Sequence, residues 1–189
     1  MEKVIFGIIF GVLFIGRTYF KFVSRSFFDS YKKHEPTWLV VYRSVIGTIL
    51  IVATYFYLTD TNPTFTEVKI PEWLMYIGTI IAVLSIILIF WAHFKLGENF
   101  SPSLSKAVRI VKDGPYKYIR HPIYLGYIIL FFSTFFITGW WLFTLLGELI
   151  MLSLVVWRLP IEEALLEKKF GDEYIEYKRK TKMFIPYLF

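Results

Sequence analysis

The sequence predicts an all-α protein, a polytopic membrane helical bundle of five transmembrane helices with a C-terminal helical hairpin. Three observations carry the bundle. Of its 189 residues, 56% are hydrophobic and only 19% are charged, with a mean hydropathy of +0.55, too apolar for an ordinary soluble domain. The apolar residues gather into stretches long enough to cross a bilayer, about 20 residues each. Lys and Arg, 21 against 15 Asp and Glu, cluster at alternate ends of those stretches.

The first stretch runs from about Val4 to Phe22. Met1-Glu2-Lys3 ahead of it resembles the start of a signal peptide, but Arg17 interrupts the run and no small-residue cleavage site follows, so it is retained as a helix. Lys21, Arg25, Lys32 and Lys33 follow it. The second stretch, Trp38 to Leu58, leads to Asp60, Glu67 and Glu72, with one Lys69. The third, Trp73 to Phe94, leads into a loop carrying Lys95, Lys106, Arg109, Lys112, Lys117 and Arg120. Arg158, Lys168, Lys169 and Lys178 to Lys180 follow the last apolar stretch. The positive-inside rule then sets the N-terminus outside and the C-terminus in the cytoplasm. The formal charge of +6 is spent on this asymmetry, and no nucleic-acid partner is expected.

Between Ile123 and Leu159 the chain is almost unbroken in apolar character. As one helix it would run to roughly 55 Å, well beyond a hydrocarbon core of about 30 Å. Gly139 lies near the midpoint with Trp140 and Trp141 beside it, so two antiparallel helices are expected, Ile123 to Ile137 and Trp140 to Leu159. Pro160 should kink or end the second of them. The chain thus reads as one domain: three spans in residues 1–94, a cytoplasmic loop in 95–122, the hairpin in 123–159 and an interfacial tail in 160–189. Tyr174, Tyr177 and the lysines of the tail suit a helix on the lipid surface, with no catalytic role.

Folding the hairpin brings two polar clusters to one membrane face. Gly114-Pro115-Tyr116 through Arg120-His121-Pro122-Ile123-Tyr124 leads in, and Arg158-Leu159-Pro160-Ile161-Glu162-Glu163 leads out. Arg158 and Glu162 share a helix face if helical geometry persists across Pro160. Taken alone they also describe a snorkelling arginine beside a surface glutamate, and Pro122 a simple first-turn proline. The loop from Lys95 to Arg120 is long but contains Val108, Ile110 and Val111, which favours an ordered cover over the bundle mouth. Glu148 sits near the middle of the last span, where it faces either a substrate tunnel or a partner inside the bundle. His93 is a further candidate, whereas Arg17 and Arg43 read as snorkelling residues. Absence of cysteine excludes disulfides, thiolate metal sites and a cysteine nucleophile, and three scattered His residues make no metal motif.

Leu96-Gly97, Gly114-Pro115-Tyr116, Arg120-His121-Pro122-Ile123-Tyr124-Leu125-Gly126, Arg158 with Glu162-Glu163, and Phe170-Gly171-Asp172-Glu173-Tyr174 with Tyr177 resemble the isoprenylcysteine carboxyl methyltransferase family and its prokaryotic relatives. The resemblance covers about the C-terminal half. It implies an integral membrane methyltransferase using S-adenosyl-L-methionine in a cytosol-facing pocket, with a lipophilic or lipidated acceptor entering from the bilayer. Membrane lipids would surround it, and the oligomeric state is left open. Position by position, it implies a cofactor site of Val108, Arg109, Ile110, Val111, Tyr116, His121, Pro122, Ile123, Tyr124 and Glu162, with Arg158 facing the substrate. Val108 stands where the family commonly has histidine, which leaves a backbone contact there.

Methyl transfer from a sulfonium is an in-line displacement on an activated donor, so the protein mainly orients the partners and excludes water. A carboxylate acceptor would be held by Arg158 and need no base. A phenol, thiol or amine would call on His121 or a glutamate. Two other classes remain open at this point: a reductase of the sterol reductase type with a nicotinamide cofactor, and a non-enzymatic membrane protein. No glycine-rich dinucleotide fingerprint is present.

Overall fold

The computed structural model of the protein describes residues 1–24, 36–61, 66–99 and 109–185. Among these it is all-helical, with two isolated β-bridges and no strand. The helices are α1 (Glu2–Val23), α2 (Thr37–Leu58), α3 (Glu72–Leu96), α4 (Pro122–Thr138), α5 (Trp141–Ser153), α6 (Leu159–Phe170) and α7 (Asp172–Lys180). Single 3₁₀ turns follow α3 and precede α4, the second spanning Gly114–Lys117.

Four helical stretches among the described residues are long and apolar enough to cross a membrane: α1, α2, α3 and the continuous stretch Trp141–Phe170. The 17-residue α4 is apolar but shorter. Phe14, Phe22 and Ile51 are each more than 70% exposed. Large apolar side chains on an outer surface of this kind are at home against lipid.

Side chains that do turn inward form three clusters along the bundle axis. Ile9 and Leu13 of α1 meet Ala82, Ile86 and Ile89 of α3 and Leu130 and Ile137 of α4. Close approach of α3 and α4 depends on glycine. A Cβ on Gly126 would stand 2.5 Å from Ile89 Cγ1, and one on Gly78 would stand 2.7 Å from Phe136 Cβ. Small residues let the two backbones close on each other, which is how helices associate where solvent supplies no apolar drive.

At one end of the bundle Trp140 stacks on Tyr57 at 4.8 Å and on Phe143 at 5.2 Å between ring centroids. Its indole N–H donates to Thr66 Oγ1 at 3.1 Å, so the polar edge of a buried ring is satisfied. The α4–α5 turn is built on Gly139, whose φ of +68° is left-handed and whose carbonyl accepts from Val68 N–H at 2.9 Å. The opposite end holds Ala92, Val111 and Tyr116, with Leu96 and Ile123 against them. Residues 109–120 therefore pack as an ordered cover on the end of α3.

Pro160 does not end the helix. A π-helical segment, Leu154–Arg158, links α5 to α6, and the Leu159 N–H reaches back five residues to Leu154 O. The wider turn takes up one extra residue immediately before the proline, where an ordinary helix would bring its ring against the carbonyl four residues back. Helical continuity then brings Arg158 Nε to 3.7 Å from Glu162 Oε2.

The tail also departs from expectation. Tyr174 and Tyr177 are buried, 2% and 7% exposed, rather than lying on the lipid surface. Their spacing of three puts both rings on one face of α7, and that face is turned to the protein. Acidic Asp172 and Glu173 open α7 and Lys178, Arg179 and Lys180 close it, matching the helix dipole at both ends.

Candidate functional site

Pro122 occupies the first turn of α4, and His121 is its N-cap residue. Arg120 N–H donates to Lys182 O at 2.8 Å and His121 N–H to Met183 O at 3.2 Å. With the parallel Ile119–Lys182 bridge, these bonds strap the segment after α7 alongside the segment before α4. Two stretches about 60 residues apart in sequence are thereby held side by side.

Glu163 is the centre of the first polar cluster. Arg120 Nε donates to its Oε1 at 2.8 Å, His121 Nε2 lies 3.1 Å from the same oxygen, and Lys178 Nζ lies 3.0 Å from Oε2. Arg120 also donates through Nη1 to the carbonyls of Lys178 and Thr181. Both Arg120 and Glu163 side chains are 7% exposed. A buried carboxylate ringed by donors on both oxygens is satisfied, and removing any of them would leave charge without solvent. Hydrogen bonds to Glu167 and Glu163 hold the Lys178 ammonium above its ordinary pKa.

The second cluster is one residue away. Tyr124 donates its hydroxyl proton to Glu162 Oε2 at 2.7 Å and accepts from Arg158 Nε–H at 3.0 Å. A single phenol thus links α4 to an anion and a cation on the helical stretch that continues α5. His121 and Tyr124 rings meet edge to face at 5.7 Å, joining the two clusters.

Tyr116 closes a third side. It is 7% exposed, and Tyr177 donates its hydroxyl proton to the Tyr116 carbonyl at 2.7 Å. Burial, with the Glu162 charge adding to it, pushes the Tyr116 phenol well above its ordinary pKa; burial does the same to Tyr177. On the rim, Lys95 pairs with Asp113 at 2.9 Å and Lys112 with Glu173 at 2.7 Å. Asp113 is held below the usual carboxylate range by the Lys95 hydrogen bond.

The structure therefore gathers Tyr116, His121, Pro122, Ile123, Tyr124, Arg158 and Glu162 at one end of the bundle, with Val111 buried beneath them. Arg109 is exposed at the margin, its N–H donating to Asn99 Oδ1 at 3.3 Å, and Ile110 is half-buried beside it. Val108 lies outside the described residues. Glu148 stands apart, in a cleft with Ile128, Leu145, Leu149, Leu152 and Val155. His93 is a core residue: Nδ1–H donates to Ile89 O at 2.8 Å and the ring stacks on Phe20 at 4.8 Å. Among the described residues no group of His, Asp or Glu is arranged to hold a metal ion.

Arg120 and Glu163 belong to the two clusters that the hairpin is expected to join, but their pairing with one another, and the part played by Lys178 of the tail, escape a reading of sequence spacing. Their signal is the doubled glutamate after Pro160 opposite an Arg-His pair: consecutive helical residues point about 100° apart, so two adjacent glutamates need two sets of partners.

Several known proteins are similar to this chain. The chain is 35% identical over 99 residues to protein-S-isoprenylcysteine O-methyltransferase of Schizosaccharomyces pombe, covering 50% of this chain and 42% of that one. The human protein of the same name is 27% identical over 159 residues, covering 75% and 51%. Methanethiol S-methyltransferase 1 of Bradyrhizobium diazoefficiens is 38% identical over 76 residues, covering 38% and 24%. The chain spans about half the length, or less, of these curated relatives. Apolar helices of spanning length and this kinship make it an integral membrane protein. Residues 73–173, from the start of α3 to the start of α7, match the phospholipid methyltransferase family, and since that is more than half of the chain and contains both polar clusters apart from Lys178, the protein belongs to it.

Proposed function

We propose that the protein transfers a methyl group from S-adenosyl-L-methionine to a lipophilic acceptor reached from the bilayer, such as the carboxylate of an isoprenylcysteine-like compound. The observation that carries this reading is the Tyr124 hydroxyl bridging Glu162 and Arg158 beside His121. The donor set suits the cofactor: Glu162 is an acceptor for ammonium or ribose hydroxyls, His121 and the 109–111 backbone offer further polar contacts, and buried Val111 and Tyr116 with Ile123 supply an apolar wall for a purine. When bound, the cofactor supplies an electrophilic methyl on a positively charged sulfur.

The chain's own work is to bind and align. Tyr124 fixes the Glu162 carboxylate and the Arg158 guanidinium relative to one another, so neither must be ordered when ligands arrive. Arg158, with planar donors, suits a carboxylate acceptor, for which no proton need be removed. The segment strapped against residues 119–121 and the 109–117 cover limit access of water from the cytoplasm. We place the N-terminus outside and the C-terminus and site in the cytoplasm, with α4 and α5 as the fourth and fifth crossings; the Lys and Arg distribution supports this.

Calorimetric titration of the purified protein with S-adenosylmethionine and its demethylated product tests the reading. Saturable binding is expected, weakened by Glu162→Gln. Arg158→Ala should instead lower acceptor turnover, scored as labelled methyl on extracted membrane lipid. Absence of saturable binding by folded protein, or saturable binding of a nicotinamide cofactor in its place, overturns it.

A further inference from the structure

The cleft lined by Ile128, Leu145, Glu148, Leu149, Leu152 and Val155 has a volume of ≈ 370 Å³. Five of its six residues are aliphatic, and the sixth is a carboxylate in a helix of membrane-spanning character. Leu145, Leu149 and Leu152 are exposed on the outer surface, so the cleft opens toward lipid rather than toward the cytoplasmic clusters. Glu148 Oε1 is buried and makes no hydrogen bond among the described residues, although the carboxyl as a whole is in polar contact with the backbone of Phe132. An acceptor oxygen left without a donor in an apolar setting is costly, and a partner supplied from outside the chain removes that cost.

From this combination we propose that the cleft binds an aliphatic chain carrying one hydrogen-bond donor, a hydroxyl or an amine, with the chain along the leucines and the donor on Glu148. Size and lining suit a single hydrocarbon chain. In either protonation state the Glu148 carboxyl keeps an acceptor oxygen. Turning about its terminal bond, a broad torsion, brings either oxygen to the cleft side. Ordinary diacyl lipid fills the apolar part equally well but offers no donor at this depth. Selectivity for a donor-bearing chain is therefore the property that separates a built site from a greased surface.

The site is independent of methyl transfer, and its test needs no cofactor. Protein in lipid nanodiscs is titrated with 1-dodecanol, dodecylamine and methyl dodecanoate, each displacing a fluorescent dodecyl probe. The alcohol and the amine should bind about tenfold more tightly than the ester, the scale of one hydrogen bond in an apolar site. Glu148→Leu, a substitution at home on a lipid-facing helix, should bind all three alike. Glu148→Gln keeps an acceptor carbonyl and should retain the preference for the alcohol and, reduced by the loss of the carboxylate charge, that for the amine. Equal binding of the three ligands by the native protein, or a donor preference that survives Glu148→Leu, overturns the proposal and leaves the cleft as bulk lipid contact.

Discussion

Glu162 and Glu163 are neighbours in sequence and hold opposite sides of the site together: Glu162 takes the Tyr124 hydroxyl at 2.7 Å, and Glu163 takes the Arg120 guanidinium at 2.8 Å. The first contact faces the proposed ligands, and the second ties α6 to the strap. Their loss should have different consequences.

Glu163→Ala is expected to unfold the end of the bundle that carries the polar clusters, because Arg120 stays buried with its main anion gone. Breaking a buried pair by removing one partner costs about 3–5 kcal/mol. Replacing both residues, Arg120→Met with Glu163→Leu, should recover much of that loss. Thermal unfolding in detergent followed by tryptophan fluorescence distinguishes the two, and equal melting of the single and double variants would refute the assignment.

Tyr124→Phe removes a hydroxyl while leaving the ring against His121. Arg158 and Glu162 then lose their common partner, at a cost of about 1.5–3 kcal/mol for hydrogen bonds to charged groups. Melting should fall by several degrees, and binding of S-adenosylmethionine by the folded protein should weaken by about tenfold or more. An unchanged affinity by calorimetry would show that the bridge does not organise the cofactor site.

Alkaline pH should free the tail. The Lys178 ammonium and the Tyr116 and Tyr177 phenols are all raised above their ordinary values of 10.5 and 10.0. A raised folded value means stabilisation that is complete below the unfolded pKa and disappears as pH climbs through the folded one. Limited proteolysis within residues 171–183 should therefore stay slow up to about pH 10 and accelerate above it. Release between about pH 6 and 8 would contradict the burial of those phenols.

Gly139→Ala should destabilise the opposite end. A Cβ there would stand 1.9 Å from Val68 O, and the φ of +68° is itself unfavourable for alanine. Strain of about 1–3 kcal/mol from the backbone alone is expected, with the clash added. A lowered melting temperature with unchanged cofactor affinity in the surviving folded fraction is the predicted signature.

How far the sequence carries can be judged from particular residues. The apolar run from Ile123 to Leu159 is too long for one crossing, and the observed break at Gly139 is set by that length and by the one residue able to turn there. Tyr124, Arg158 and Glu162 meet because a hairpin returns its ends to one place. The strap was not legible: pairing of 119–121 with 182–183 is a long-range backbone contact with no side-chain period to announce it. Burial of Tyr174 and Tyr177 was hidden for another reason. Aromatic and basic residues mixed on one short helix look alike whether the rings dip into lipid or into protein, and only the carbonyl of Tyr116 decides between them.

The π turn at Leu154–Arg158 gives the helix one residue of slack between a part that answers to lipid and a part that answers to chemistry. Each inserted helical residue rotates the downstream helix by about 100°. The π turn absorbs that rotation: straightened into an ordinary α-turn with all five residues kept, it would swing the Glu162-Glu163 doublet around the axis, whereas deleting Val155 along with the bulge would leave the doublet where it stands. The bulge is thus a phase setting: it decides which of two identical side chains takes the Tyr124 hydroxyl and which takes the Arg120 guanidinium.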